Sequence, residues 1–302
     1  MRLAQVSSAL VLNGGVAVIL AIWGAAGCQP PESRKELPTE VEVERPRPPS
    51  QEEADVPAST PIAVRSYLEE AIAAMTQKQP KLLERARRSR VRAKGSMLLP
   101  DENGQLVRQN AERDMAAHWP DRIRLHYQAQ PPLSLQMTFL YVKGRLWLTR
   151  NQVTQAATEA AIIDEAPTDT LAQHWFPLLF VVQEPGVVAF DLRTDQGPPP
   201  RDRLRVKIPD RPIFHLSFDA QSRLLRQVEY RYQPLGTGRP ISREWTFDQH
   251  RPFEGLLLPT RMIYAERLDS PPVRQVKMEW TVEHWEFPQE FPPELFEAKQ
   301  TP

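Results

Sequence analysis

Three groups of residues in this 302-residue chain have the types and spacing to do chemistry. The first is Cys28, the only thiol. A lone cysteine excludes an intramolecular disulfide framework and any multi-cysteine zinc or iron–sulfur site, and leaves either one point of covalent attachment or a free thiol. The second is a run of bases, Lys81, Arg85, Arg87, Arg88, Arg90, Arg92 and Lys94. Such a run can meet anionic lipid headgroups, with Arg88, Arg90, Arg92 and Lys94 as the contacting set, or it can be a solvated helix end and strand face. The third is a set of large apolar side chains, Met137, Phe139, Tyr141, Trp147, Trp175, Phe176 and Trp245. These suit either an ordinary core or the wall of a cavity for an apolar ligand.

Catalytic and metal-binding patterns are missing from the sequence. The six histidines, His118, His126, His174, His215, His250 and His284, include no pair at helical metal spacing and no His-Glu-x-x-His. Glu283-His-Trp-Glu286 offers carboxylates beside His284, but reads more simply as a surface strand. No Gly-x-Ser-x-Gly elbow occurs, and Gly236-Thr-Gly238 lacks the length and the strand–helix context of a phosphate cradle. The chain is therefore expected to be a non-enzyme without metal or cofactor. With 38 Lys+Arg against 38 Asp+Glu, it also lacks the basic excess of a dedicated nucleic-acid binder.

The N-terminus says where those residues act. Arg2 is the only charged residue before Glu32, an apolar stretch runs from Ala9 to Trp23, and Gly24-Ala-Ala-Gly27 closes it with small residues. That is the layout of a secretory signal peptide over residues 1–27. Ala25-Ala26-Gly27-Cys28 resembles the lipobox of bacterial lipoproteins, which implies that Cys28 is lipidated and anchors the mature chain to a membrane. The alternative, an uncleaved membrane helix, is marginal in length and is weakened by Asn13 and its glycines. Residues 28–61 then read as a disordered tether. From Gln29 to Pro61 there are eight prolines, no glycine, no aromatic residue, eight acids and four bases, too little apolar surface to offset the entropy of ordering. Proline and like charge extend such a chain toward ~3.1 Å per residue. Residues 62–302 keep 33 bases and 30 acids, a mildly basic domain on an acidic leash.

Residues 62–298 read as one α+β domain, with 299–302 a short tail. Val64, Leu68, Ala71, Ile72 and Met75 share a helical face behind Thr60-Pro61, a capping hydroxyl followed by proline at the first helical position. Alternation then predicts strands over 88–94, 122–127, 133–149, 204–208, 214–218, 224–232, 245–247, 256–264 and 273–287. Asp101-Glu-Asn-Gly104 and Lys143-Gly144 mark turns. Leu171, Trp175, Leu178 and Leu179 predict a second helix over roughly 167–180, and periodicity leaves 151–163 open between helix and irregular structure. Between Leu133 and Thr149 both parities carry apolar groups, so both faces must be covered or one must hold a ligand. The expected architecture is an antiparallel sheet with helices on one face.

Several local patterns resemble the LolA/LolB-type lipoprotein carrier family and its outer-membrane-lipoprotein-sorting-like relatives. They are Pro120-Asp-Arg-Ile-Arg124, Lys143-Gly-Arg-Leu-Trp147, Phe218-Asp-Ala-Gln-Ser-Arg-Leu-Leu225, Gly255-Leu-Leu-Leu-Pro-Thr260 and the closing Glu294-Leu-Phe296. The resemblance spans roughly 62–298. It implies a half-open antiparallel β-barrel or curved sheet covered by one or two helices, with an apolar cavity for acyl chains. One departure is Trp119, which stands where the carrier's pattern has an arginine before the proline. The expectation is a monomeric lipoprotein of the cell envelope, on the outer membrane facing the periplasm, that binds a lipid, an acyl chain of a lipoprotein or another apolar ligand. The alternative is an interaction lipoprotein with a filled core that binds another envelope protein.

Overall fold

The alternation of bases with small residues at 88–94 has its physical cause in the computed structural model, which describes residues 55–298 apart from 102, 132–134, 159, 176–178, 233–239 and 270–271. Two helices come first, α1 (Ile62–Met75) and the short α2 (Leu82–Ala86). Strand β1 (Arg88–Pro100) follows, with Ser89, Val91 and Ala93 buried and the four basic residues on its other face. From β1 the chain meanders through β2 (Leu106–His118), β3 (Arg122–Ala129), β4 (Gln136–Val142), β5 (Arg145–Arg150) and β6 (Val153–Ala156). It then crosses through α3 (Ala160–His174) and a 3-10 turn (Leu179–Gln183). A second meander returns through β7 (Val188–Asp195), β8 (Arg201–Lys207), β9 (Ile213–Asp219), β10 (Leu225–Tyr232) and β11 (Ile241–Asp248). A small hairpin, β12 (Arg251–Phe253) and β13 (Leu256–Leu258), precedes β14 (Arg261–Asp269) and β15 (Pro272–Glu286).

All but the hairpin join one 13-stranded antiparallel sheet, in the order β6-β5-β4-β3-β2-β1-β15-β14-β11-β10-β9-β8-β7. The order dictates the rest of the fold. The chain enters at the centre, reaches one edge at β6, and resumes at the opposite edge with β7. The crossing segment must therefore span the sheet, and α3 does so, packing on β4 and β5 at one end and on β10 at the other. Bulges in the β1/β15, β14/β15, β9/β10 and β7/β8 ladders bend the sheet. It stays unclosed, and side chains from both halves meet in one core on the concave side. This half-open sheet with few helices is what the LolA/LolB resemblance implied.

Local sequence explains most elements. α1 buries Val64, Tyr67, Leu68, Ala71, Ile72 and Met75, the stripe its spacing predicts, and lies on β7 and the hairpin. Each large side chain there contributes about 1.5–3 kcal/mol by leaving water. Lys143 and Gly144 both take positive φ (46° and 79°), as the two-residue turn between β4 and β5 requires.

The structure differs from expectation in three places. Thr60 does not cap α1; Pro61 holds the cap position, and the Thr60 hydroxyl instead accepts the Ala189 N–H at 3.0 Å, bracing β7. The second helix begins at Ala160, keeps Pro167 in its interior and ends at His174, with Leu179 in the 3-10 turn beyond it. The undecided stretch 151–163 holds a tight turn with Asn151 and Gln152 at positive φ, then β6 and the start of α3. Residues 1–54, with Cys28, and the tail 299–302 lie outside the described residues.

Candidate functional site

The antiparallel register of β3, β4 and β5 decides which side chains enter the concave space. Leu125 faces Phe139, and Phe139 faces Leu148; Ile123 faces Tyr141, and Tyr141 faces Leu146. Directly opposed residues share a sheet face, so these six form a continuous apolar wall. Tyr127 and Met137 extend it, and Met97, Met278, Tyr264 and Trp245 close it from the central strands. The roof is one face of α3, Glu165, Ala166, Asp169, Thr170 and Gln173. Together they enclose a chamber of about 90 Å³. Phe139 and Tyr141 are only half-buried and mark its open side.

Elsewhere on the concave side aromatic rings interlock. Trp175 packs edge-on to Phe214 at 5.6 Å between ring centres, Tyr67 does the same to Phe218 at 5.5 Å, and Trp285 meets His174 at 5.4 Å.

Polar contacts fix the roof. Arg243, on β11, is fully buried, and its guanidinium lies 2.5 Å from Glu165 Oε1 and 3.1 Å from Asp169 Oδ1. Tyr232 donates to Glu165 Oε2 at 2.7 Å, and the Tyr230 hydroxyl donates to Asp169. Burial works against the Arg243 charge, but Asp169, Tyr264, Tyr230 and Glu165 outweigh it and hold the guanidinium well above its ordinary range. Burial pushes the Glu165 carboxyl up, opposed by Arg243. At the inner end Arg113, on β2, donates to Gln173 Oε1 at 2.5 Å. Burial lowers the Arg113 guanidinium and, with Arg113 beside it, pushes His174 well below the usual imidazole range.

Of the apolar residues singled out in the sequence, Met137, Phe139, Tyr141 and Trp245 line the chamber. Trp147 does not. It pairs with Leu140, so it shares the convex face and packs with Leu140, Ala116 and Phe296 under the C-terminal segment. Trp175 is fully buried in core beyond the chamber. Phe176 lies outside the described residues.

The strand part of the basic run, Arg88 to Lys94, lies on the convex face and is matched by its neighbours, while Arg85 and Arg87 pair with Glu254 and Glu184 beside α2. Arg90 reaches Asp114 at 2.5 Å, Arg92 reaches Glu286 at 2.6 Å, and Lys94 reaches Glu283 at 3.0 Å. Arg88 donates to the Gln289 carbonyl at 2.5 Å. The ladder registers bring these acids alongside, which spacing along one strand does not reveal. Sequence reasoning also missed Arg113, Arg243 and the roof residues. A signal was present for the roof: Glu165, Asp169 and Gln173 recur every four residues, one face of a helix.

Among the described residues no three of His, Cys, Asp and Glu are grouped to hold a metal ion, and no helix is long and apolar enough to cross a membrane. Fold and site together define a curved antiparallel sheet with a helix-roofed apolar chamber. The sequence matches no protein-family model and no curated protein. Among solved structures, the chain is similar to a LolA superfamily protein from Nitrosomonas europaea, at 14% identity and TM-score 0.46 over 72% of this chain and 96% of that one. It is similar to an outer membrane lipoprotein-sorting protein domain from Vibrio parahaemolyticus at 11% identity and TM-score 0.42, covering 73% and 97%. A DUF1329 family protein from Desulfovibrio piger gives 9% identity and TM-score 0.44, covering 78% and 97%. The chamber, and not these likenesses, carries the functional reading.

Proposed function

We propose that this chain is an exported, non-enzymatic lipoprotein of the cell envelope that holds an acyl chain or another apolar ligand between its curved sheet and α3. The observation that carries the reading is the wall of Ile123, Leu125, Met137, Phe139, Tyr141, Leu146 and Leu148, which leaves an apolar chamber open at Phe139 and Tyr141. Cys28 lipidation would anchor the domain to the outer membrane, the tether over 28–61 would let it reach ligands at a distance, and it would act as a monomer. The acyl chains of lipoproteins, or free lipids, are the ligands this arrangement suits.

The reading of a filled-core interaction lipoprotein also has an observation in its favour. A volume of about 90 Å³ is well below the several hundred Å³ of a typical ligand pocket. Ligand entry therefore requires α3 to move outward from the wall.

The experiment is displacement of the apolar fluorophore diphenylhexatriene from the full chain by oleyl alcohol. Saturable binding that is lost on Phe139→Asp supports the chamber. Absence of binding, with one envelope protein captured by crosslinking in cells, favours the filled core.

A further inference from the structure

Two arginines are fully buried on the concave side, and the protein treats them differently. Arg243 is surrounded by the carboxylates of Glu165, Asp169 and, at 3.9 Å, Glu266. Arg113 is 1% exposed and has no carboxylate within ion-pair distance among the described residues. Its guanidinium donates to the amide oxygen of Gln173 and to the sulfurs of Met115 (2.9 Å) and Met262 (3.8 Å), and the Tyr127 hydroxyl opposite it on β3 is a further hydrogen-bond partner. Its Nε has no partner. A buried charge is costly unless paired, and neutral amide, phenol and thioether acceptors are weak substitutes for a carboxylate.

Arg113 lies just behind the chamber lining, covered by Gln173, and a second unused donor stands beside it in the wall. Trp245 lines the chamber, is 2% exposed, and its indole Nε1 has no partner. Its ring lies 5.8 Å from the Arg113 guanidinium carbon. The acids of the roof are already engaged by Arg243, Tyr230 and Tyr232. What is left over at the inner end is donor capacity and positive charge, while the open side at Phe139 and Tyr141 is apolar. Gln173 both lines the chamber and caps Arg113, so an arriving oxygen needs to replace one side-chain contact.

We propose that the chamber takes a single-chain anionic amphiphile, a fatty-acid-type carboxylate, with its headgroup innermost on Arg113 and Trp245 and its alkyl chain along β3–β5. The proposal rests on the chamber being a ligand site and adds the ligand's charge and direction. The carboxylate displaces the Gln173 amide oxygen and gives Arg113 the charge-assisted, two-pronged partner it lacks. A compact carboxylate suits the small inner space better than a phospholipid headgroup.

The test compares oleate with oleyl alcohol as displacers of diphenylhexatriene from the full chain, at pH 8 and below micelle-forming concentrations. Wild type should favour oleate by about tenfold, the worth of one good charge-assisted contact. Gln173→Glu supplies Arg113 with an internal carboxylate, so this variant should melt higher than wild type and bring the oleate-to-alcohol ratio close to one. Arg113→Met should lose the preference too. Alcohol binding with no oleate preference in wild type, or a preference that survives Gln173→Glu, overturns the proposal while leaving the chamber a ligand site. Failure of both displacers to bind overturns the two together.

Discussion

Arg243, on β11, and Glu165, in the chamber roof on α3, meet at 2.5 Å. Asp169, one helical turn further along, approaches the same guanidinium at 3.1 Å. The crossing helix is thus held to the far half of the sheet by charge, while its other contacts, on β4 and β5, are those of the apolar wall. Removing both carboxylates by Glu165→Gln with Asp169→Asn leaves Arg243 buried beside only a distant Glu266. We expect a loss of about 3–5 kcal/mol in urea unfolding, the cost of stranding a buried charge. Amide exchange should accelerate first at Leu171–His174. Unchanged exchange there would show that apolar packing alone fixes α3.

The two tryptophans at 147 and 245 should behave oppositely. Trp245→Ala removes part of the chamber wall and should weaken binding of an apolar probe at least about tenfold. Trp147→Ala acts on the convex face, where it should cost about 1–3 kcal/mol of stability and leave probe affinity within twofold. A binding defect in Trp147→Ala would place the ligand on the wrong face for this account.

Acid should destabilise the fold through the buried His174 and the partly buried His250. Burial and, secondarily, Arg226 push His250 down to about 4, opposed by Asp248 and Asp219, and burial pushes His174 down further in the same direction. Both bind protons more readily in the unfolded chain, where the imidazole value is 6.5. Their stabilising contribution is complete above that value and is lost as the pH falls toward the folded value. His250 alone should cost about 2 kcal/mol between pH 7 and pH 5. Urea midpoints at the two pH values measure this, and His250→Asn should flatten the dependence.

Gly95 is fixed by crowding and not by its backbone angles. A Cβ added there would lie 1.9 Å from the Glu279 carbonyl oxygen on β15. Gly95→Ala must push β15 away at the seam between the two halves of the sheet, at a cost of about 3 kcal/mol. A melting temperature equal to wild type would mean that the seam is looser than this packing.

Much of the fold could be read from the chain because strands with one dry face leave a period-two record. β1, β3, β4 and β9 all did so. β2 did not: Asn110-Ala-Glu-Arg-Asp-Met-Ala-Ala117 carries no aromatic or β-branched residue. It is a strand because β1 and β3 flank it and pair with it along its length. The same context hid Arg113, whose neighbours Glu112 and Asp114 make it look solvated, although its strand position turns it inward opposite Tyr127. The apolar wall at Met137, Phe139 and Tyr141 was legible from alternation. Trp147 lies outside the chamber because the turn at Lys143-Gly144 sets which parity of β5 faces inward, and only the pairing with Leu140 reveals it. Cys28, the segments at 1–27 and 28–54, and Phe176 lie outside the described residues and remain expectations from sequence.

The most direct test of the chamber as a ligand site is photocrosslinking. The full chain is loaded with a diazirine-bearing fatty acid, irradiated, digested and mapped by mass spectrometry. The account predicts adducts on β3–β5 and the α3 roof, centred on Leu125, Met137, Phe139 and Leu148, that excess unlabelled oleate suppresses. Adducts confined to the convex face around Leu140, Trp147 and Leu295, or labelling that oleate does not compete, would contradict it.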